Sequence, residues 1–521
     1  MELELRQVSA DTYETGGDIT LTQDESAETI VPDYCPDMAR VISTEGTVFV
    51  HSQELREGRA EITGSVQVNI LYTPDGESGV RALELSLPFT VESDNRALSD
   101  CEEVAAEISP EFLEARMLNP RKVLTRCRLT SRLTGYRRAP LALTTDVVTA
   151  EAYPLEKLRE RRKLVLLTNL LRREFQFSDT LILPSGRPGA VELLSVSVTP
   201  EVTDTRIIGD KLICKGAFTL SLLYLTEENL CASQTAELPF SQIMDVEDIP
   251  EDSPVSVRVT LNGADIQLDG GDPEGREIGV TLYLEALAAV RREMELDLLR
   301  DLYSTAWETH YDAVPLTVVE SWERQTCRQS ARELLETGMS PDEILSLRVL
   351  CGTVAAASEN GRVVLRAPVS VRVLYRDEGG VTLVAERRTE VRCETDLPDS
   401  YQVTAQAGVS EEPRGAIGER GIEVRFAVDF RMEAVRASRL LCVTDAELDT
   451  ESPKDTADAP SLVLRRIGPD ESAWDVAKAC GSTVAAILDA NCLADEAELP
   501  RDAMILIPRG RGGQGLKGQM L

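Results

Sequence analysis

One seven-residue pattern, met three times at a near-constant interval, limits what this chain can become. Val66-Gln67-Val68-Asn69-Ile70-Leu71-Tyr72 recurs 152 residues on as Phe218-Thr219-Leu220-Ser221-Leu222-Leu223-Tyr224, and 151 residues after that as Val369-Ser370-Val371-Arg372-Val373-Leu374-Tyr375. Apolar side chains stand at every second place, the period of a half-buried β-strand and not of a helix. An interval of this size is that of one domain, so the 521 residues divide into three like units and a C-terminal remainder. With 42% hydrophobic residues, each unit has the apolar area for a core of its own. Burying Val68, Leu220 or Val371 is worth roughly 1.5–3 kcal/mol each.

Other landmarks keep the same spacing. Val31-Pro32-Asp33-Tyr34-Cys35-Pro36-Asp37 stands 152 residues before Leu183-Pro184-Ser185-Gly186-Arg187-Pro188-Gly189. Two prolines four apart fix φ and remove two donors, so each unit opens on an extended or turned segment. Leu87-Pro88-Phe89 returns as Leu238-Pro239-Phe240, and alternating runs close the units at Val123–Leu133, Gly279–Val290 and Ile422–Phe430. The third copy has drifted: it keeps only Pro341, 34 residues before its tyrosine where the others have 36, and has Val391-Arg392-Cys393 in place of the Pro-Phe element. Two stretches carry helix-forming residues: Ser330–Glu336, and Pro154–Glu174, which reads as a connecting helix or, at Lys163–Thr168, as a strand.

The expected organisation is mainly β, with three tandem sandwich-like units over 1–150, 151–310 and 311–448, a polar linker at 449–461, a small module at 462–508 and a disordered Gly-rich tail at 509–521. The module reads as strand, helix, helix, strand. Ser472 caps a first helix that Gly481 ends, the second runs from Thr483 to Asn491, and Met504–Ile507 forms the last strand.

A net charge of −34 argues against nucleic acid or an anionic membrane as the main partner, since neither offers an attraction or counterion release. The eleven cysteines are scattered and include no C-x-x-C pair, the usage of a reducing compartment in which most are small buried side chains. The N-terminus lacks the apolar core of a signal peptide and no run approaches 18 apolar residues, so the reading is cytoplasmic. Chemistry finds little to work with. His51 and His310 stand outside any G-x-S-x-G context, Cys and His do not cluster for a metal, and no P-loop exists for a nucleotide. Glu102-Glu103, Glu227-Glu228 and Glu411-Glu412 read as solvated loops and not as glycosidase pairs. No catalytic residue, cofactor or metal is expected, and the chain is not expected to be an enzyme.

Two resemblances add to this reading. Ser472-Ala473-Trp474-Asp475-Val476-Ala477, Cys480-Gly481-Ser482-Thr483-Val484, Ile487-Leu488, Asn491-Cys492-Leu493 and Leu506-Ile507-Pro508 resemble the lysin motif, LysM. Glu28-Thr29-Ile30-Val31-Pro32-Asp33 and Pro36-Asp37, with their repeats, resemble the SPOCS domain of clostridial spore proteins. The order of the two is similar to that in SipL-like spore-envelope morphogenesis proteins. The resemblance implies a scaffold in the mother-cell cytoplasm, at the forespore surface. There LysM would hold a SpoIVA-like coat-basement ATPase, and other spore-envelope proteins would be further partners. The alternative is a peptidoglycan-binding protein, recognising N-acetylglucosamine polymer in the cell or spore wall.

LysM proteins bind through two loops, which here are Pro469, Asp470, Glu471 and Ser472, and Asn491, Cys492, Leu493, Ala494 and Asp495. Asp470-Glu471-Ser472 replaces the family's Gly-Asp-Thr, and the aromatic residue usual in the first strand is absent. The loop has exchanged a flexible glycine for a carboxylate, which weighs against close approach to sugar amides. Trp474 and Ile487 read as core.

Overall fold

A computed structural model describes residues 1–76, 79–150, 153–454, 460–468, 471–495 and 503–509. It is mainly β, with 74% of residues in strands and 4% in helices. The first unit contains β1 (Glu4–Ala10), β2 (Tyr13–Ile30), β3 (Met38–Arg56), β4 (Arg59–Pro74), β5 (Arg81–Ser93), β6 (Glu103–Asn119), β7 (Lys122–Arg138) and β8 (Leu141–Val148). The second contains β9 (Glu156–Ile182), β10 (Glu192–Ile208), β11 (Lys211–Leu225), β12 (Cys231–Asp245), β13 (Val255–Leu268) and β14 (Glu277–Tyr303). The third contains β15 (Trp307–Leu335), β16 (Pro341–Cys351), β17 (Ala355–Glu359), β18 (Arg362–Asp377), β19 (Thr382–Pro398), β20 (Gln402–Val409), β21 (Arg414–Gly418) and β22 (Gly421–Pro453).

Each unit is a sandwich of two antiparallel sheets. The repeated pattern lies on the central strand of the inner sheet: β4 between β3 and β5, β11 between β10 and β12, and β18 flanked by β16, β17 and β19. The outer sheet pairs β2 with β7, β9 with β14 and β15 with β22. The alternation has a consequence on both faces. Val68, Leu220 and Val371 are fully buried inside their own sandwiches, as are Tyr72 and Tyr224, with Tyr375 almost so. The leucine beside each tyrosine points the other way. Leu71, Leu223 and Leu374 meet at one apolar node with Ile42, Leu194 and Leu345, which are also spaced by 152 and 151 residues. Like positions from three units converge, so the sandwiches surround a pseudo-threefold axis.

Polar contacts join each neighbouring pair. Arg172 donates to the Val104 carbonyl of the first unit at 2.6 Å, and Arg324, 152 residues on, to the Val255 carbonyl of the second at 3.0 Å. The third unit meets the first differently. Glu45 is held by Arg348, by Arg372 at 3.5 Å and by Ser195 at 3.0 Å, close to the axis, and Arg372 also donates to the Thr44 carbonyl at 2.7 Å.

Beyond the sandwiches the outer strands run on as two-stranded ribbons. β9 and β14 hold 27 residues each, a length of about 90 Å at ~3.3 Å per residue. Where ribbon and sandwich meet, one residue of the first strand is bulged out of register: Gly16, Thr168 and Glu320, again 152 apart. A bulge bends its strand and re-aims it. The two ribbons and the β1–β8 pair pack together through Leu143, Leu164, Leu298, Val318 and Leu440, and further out through Leu3, Leu302 and Leu448. They form a stalk.

One expectation is corrected and one alternative is decided. Ser330–Glu336 is not helical: β15 pairs residue by residue with β22 as far as Leu335 opposite Ile422, and burial alternates along it. Pro154–Glu174 likewise takes its strand alternative, within β9. In both, ladder bonds to a partner strand override a helical preference of a few tenths of a kcal/mol per residue. β22 also continues to Pro453, into the stretch read as linker, and residues 455–459 and 510–521 lie outside the described residues.

The C-terminal module consists of β23 (Leu462–Arg466), α1 (Ala473–Cys480), α2 (Val484–Ala490) and β24 (Met504–Pro508), with β23 and β24 antiparallel. Ser472 and Asp475 form a capping box at α1, Gly481 ends it at φ 65°, and Thr483 caps α2. Among the described residues no helix is long and apolar enough to cross a membrane.

Candidate functional site

The loops singled out by sequence stand on either side of the helix pair, one leading into α1 and one leaving α2. Pro469 and Asp470 lie outside the described residues. Both Glu471 carboxylate oxygens are engaged: one pairs with Arg465 and the other accepts the Gly468 amide at 2.9 Å. The Ser472 hydroxyl accepts the Asp475 amide at 3.1 Å. Asn491 donates to the carbonyls of Ile487 and Leu506, each at 2.7 Å, and its oxygen accepts the Leu506 amide at 2.9 Å, tying α2 to β24. Cys492 is exposed at φ 56°, Leu493 returns its amide to the Leu488 carbonyl at 3.0 Å, and Ala494 and Asp495 are exposed. The side chains of Glu471, Ser472 and Asn491 thus hold the loops in shape. The exposed side chain that the second loop carries at its turn is Cys492.

Trp474 and Ile487 are buried in the module's core, and Tyr303, from the end of β14, is part of the same core. The module therefore sits against the stalk. The Trp474 indole donates to Asp301 at 2.8 Å, Lys478 reaches the same carboxylate at 2.7 and 2.9 Å, and the Tyr303 hydroxyl donates to the Ser482 carbonyl at 2.8 Å. Tyr303 and Trp474 meet edge to face, with centroids 4.8 Å apart, and Lys478 lies over the Tyr311 ring. Burial pushes the Asp301 carboxyl up, but hydrogen bonds from Lys478, Trp474 and Tyr311 outweigh it and hold the group below the ordinary carboxylate value. These contacts use the flank of α1 and the α1–α2 turn. Sequence reading missed Asp301 and Tyr303, because they lie some 170 residues before the module in the chain, where no local pattern connects them to it.

The proline segments are fixed by partners that sequence reading also missed. The Tyr72 hydroxyl donates to the Pro36 carbonyl at 3.3 Å and the Tyr224 hydroxyl to the Pro188 carbonyl at 3.2 Å, both across 36 residues. Arg121 holds the first segment through the Cys35 carbonyl, Asp33 and Asp37, and Arg276 holds the second through the Pro184 carbonyl. The proline signature is a strapped surface loop. Nε2 of His51 hydrogen-bonds the Ser65 hydroxyl at 3.0 Å within the β3–β4 pair, and His310 is exposed. Among the described residues no three His, Cys, Asp or Glu side chains gather as metal ligands.

These features define an array of three β-sandwiches closed about an axis, with a βααβ module seated on its stalk. Residues 37–118 and 190–269 match the family model described as SipL, SPOCS domain. The matched segments cover β3 to β6 and β10 to β13, the inner sheet and one outer strand of the first two sandwiches. The third sandwich, built to the same strand plan, lies outside them. Among curated proteins none matches the chain.

Proposed function

We propose that this chain is a non-enzymatic scaffold or adaptor of spore-envelope assembly, coat and cortex, which docks through its LysM-like module on a coat-basement ATPase of the SpoIVA type. The two SPOCS matches point to a sporulation-related role. The observation that carries the adaptor reading is the seating of the module: α1 and Tyr303 fix it to the stalk, while Glu471, Ser472 and Asn491 make their bonds within the module, away from that seat. A module held this way presents the same surface to a partner each time, and strands about 90 Å long, running from the stalk into the sandwiches, stiffen the body behind it. The site of action in this reading is the mother-cell face of the forespore.

The test is capture of the ATPase from a sporulating lysate by the full chain and by a chain ending at Lys454. Undiminished capture by the shortened chain overturns the adaptor reading. The rival, peptidoglycan recognition, predicts that the full chain sediments with purified spore peptidoglycan. Engagement of Glu471, Ser472 and Asn491 within the module weighs against it, since they are not free to meet sugar amides.

A further inference from the structure

The sequence led us to expect reduced, scattered cysteines, yet two of them are joined. Cys327 on β15 and Cys393 on β19 are bonded across the third sandwich, linking its outer sheet to its inner one, with Cα atoms 6.8 Å apart. Their place in the repeat gives the bond a meaning. Cys327 stands 152 residues after Phe175, whose ring lies 6.2 Å from that of Phe240 across the second sandwich. Phe240 in turn packs on Gly216, where an added Cβ would sit 2.6 Å from the ring, and Phe89 covers Gly64 in the same way at 2.4 Å. In the third unit the paired positions are Ala367 and Val391. Both rings are gone: Cys327 takes the place of Phe175, and Cys393, two residues beyond Val391 on the same strand, joins it across the two sheets.

We propose that Cys327 and Cys393 form a redox-sensitive staple that substitutes for the aromatic clasp of the second sandwich, so that the closure of the third unit depends on the thiol–disulfide poise. Opening it requires a dithiol reductant. One of its thiolates attacks a cysteine sulfur to give a mixed disulfide, its second thiolate displaces the protein sulfur, and two electrons and two protons end on the two cysteines while the reductant becomes a disulfide. Oxidised glutathione reverses this with the opposite balance. Cys393 is fully buried and Cys327 partly so, which directs attack to Cys327. Four of the other thiols compete weakly: burial raises Cys127, Cys214, Cys231 and Cys351 to about 11 each, leaving little thiolate at neutral pH. The inference is independent of the partner proposed above.

The experiment uses the full chain, equilibrated with oxidised glutathione or with dithiothreitol, acid-quenched, alkylated in denaturant and weighed. The expected result is nine labelled cysteines after oxidation and eleven after reduction, with one disulfide-linked peptide pair containing residues 327 and 393. Eleven labels after oxidation, or a different pair, overturns the proposal. Reduction should lower the melting temperature of the third unit by roughly 5–15 °C, because the bond closes a loop of 66 residues. The C327S/C393S chain should melt like the reduced protein and ignore dithiothreitol. A melting curve of the wild-type chain that does not respond to reductant also overturns it, whether or not the variant folds.

Discussion

The second and third sandwiches share a strand plan and differ in what locks their sheets together. The second carries Phe240 over Gly216 against Phe175, and strap bonds from Tyr224 and Arg276 to its proline segment. The third has Val391 over Ala367, a cysteine pair, and a shorter lead-in whose Pro341 opens β16 directly. Glycine and ring were lost together. That is what close packing demands, since an alanine under Phe240 would overlap the ring and the Glu201 carbonyl, whereas alanine under valine fits. The repeat is therefore a set of linked choices, and a copy that abandons one member of a pair abandons the other.

The comparison breaks most completely where the units agree. Leu220→Asp and Val371→Asp each place an unpaired carboxylate in a dry core, at a cost above about 4 kcal/mol, so both should remove the melting transition of their unit. An undisturbed transition for either would mean that the central strand is not where it is placed. Phe240→Ala comes next, at about 3–5 kcal/mol by urea unfolding, against about 2 kcal/mol for Val391→Ala. Equal losses would show that the ring is not the second unit's clasp. Gly216→Ala should cost more than Ala367→Gly, the reverse of the usual order for strand residues.

Much of this was legible in the chain. Period-two alternation and a constant interval reveal the strands and the three units, because both depend on spacing along the backbone. The direction of Leu71, Leu223 and Leu374 was open to the same reasoning, yet without a partner surface the leucine beside a buried tyrosine reads as exposed. The axis cluster of Glu45, Arg348 and Arg372, drawn from two units some 300 residues apart, leaves no local trace. Helical propensity misled at Ser330–Glu336, where pairing with β22 decides. At the module, caps and core could be read from Ser472, Gly481, Trp474 and Ile487, while Asp301 and Tyr303, which seat it, could not.

Stalk and module offer a gentler perturbation. Asp301→Asn removes the anion shared by Lys478 and Trp474 and should loosen the seat by about 1–2 kcal/mol, a figure kept low by the partial exposure of Lys478. Hydrogen exchange in α1 would read it. The sign with pH follows from a carboxyl held below its ordinary value. The stabilisation is complete above the unfolded-state value of about 3.9 and is lost as pH falls through the lower folded-state value. In the wild type α1 should therefore stay protected through mild acid and loosen only in strong acid, and in the asparagine variant this acid step should vanish. An unchanged acid step would place the titrating group elsewhere.

The smallest effect separates the straps. Tyr224→Phe keeps the ring and deletes one hydrogen bond to the Pro188 carbonyl, a loss of about 1 kcal/mol, with a similar loss for Tyr72→Phe and Pro36. Tyr375 keeps the buried ring, but its proline stands two residues closer and begins a strand, so Tyr375→Phe should stay within about 0.5 kcal/mol of wild type. If all three variants lose equally, the 36-residue spacing reflects ring burial alone. If only the first two lose, the spacing is set by the reach of a tyrosine hydroxyl to a proline carbonyl, and the third unit was free to shorten its lead-in once that bond was gone.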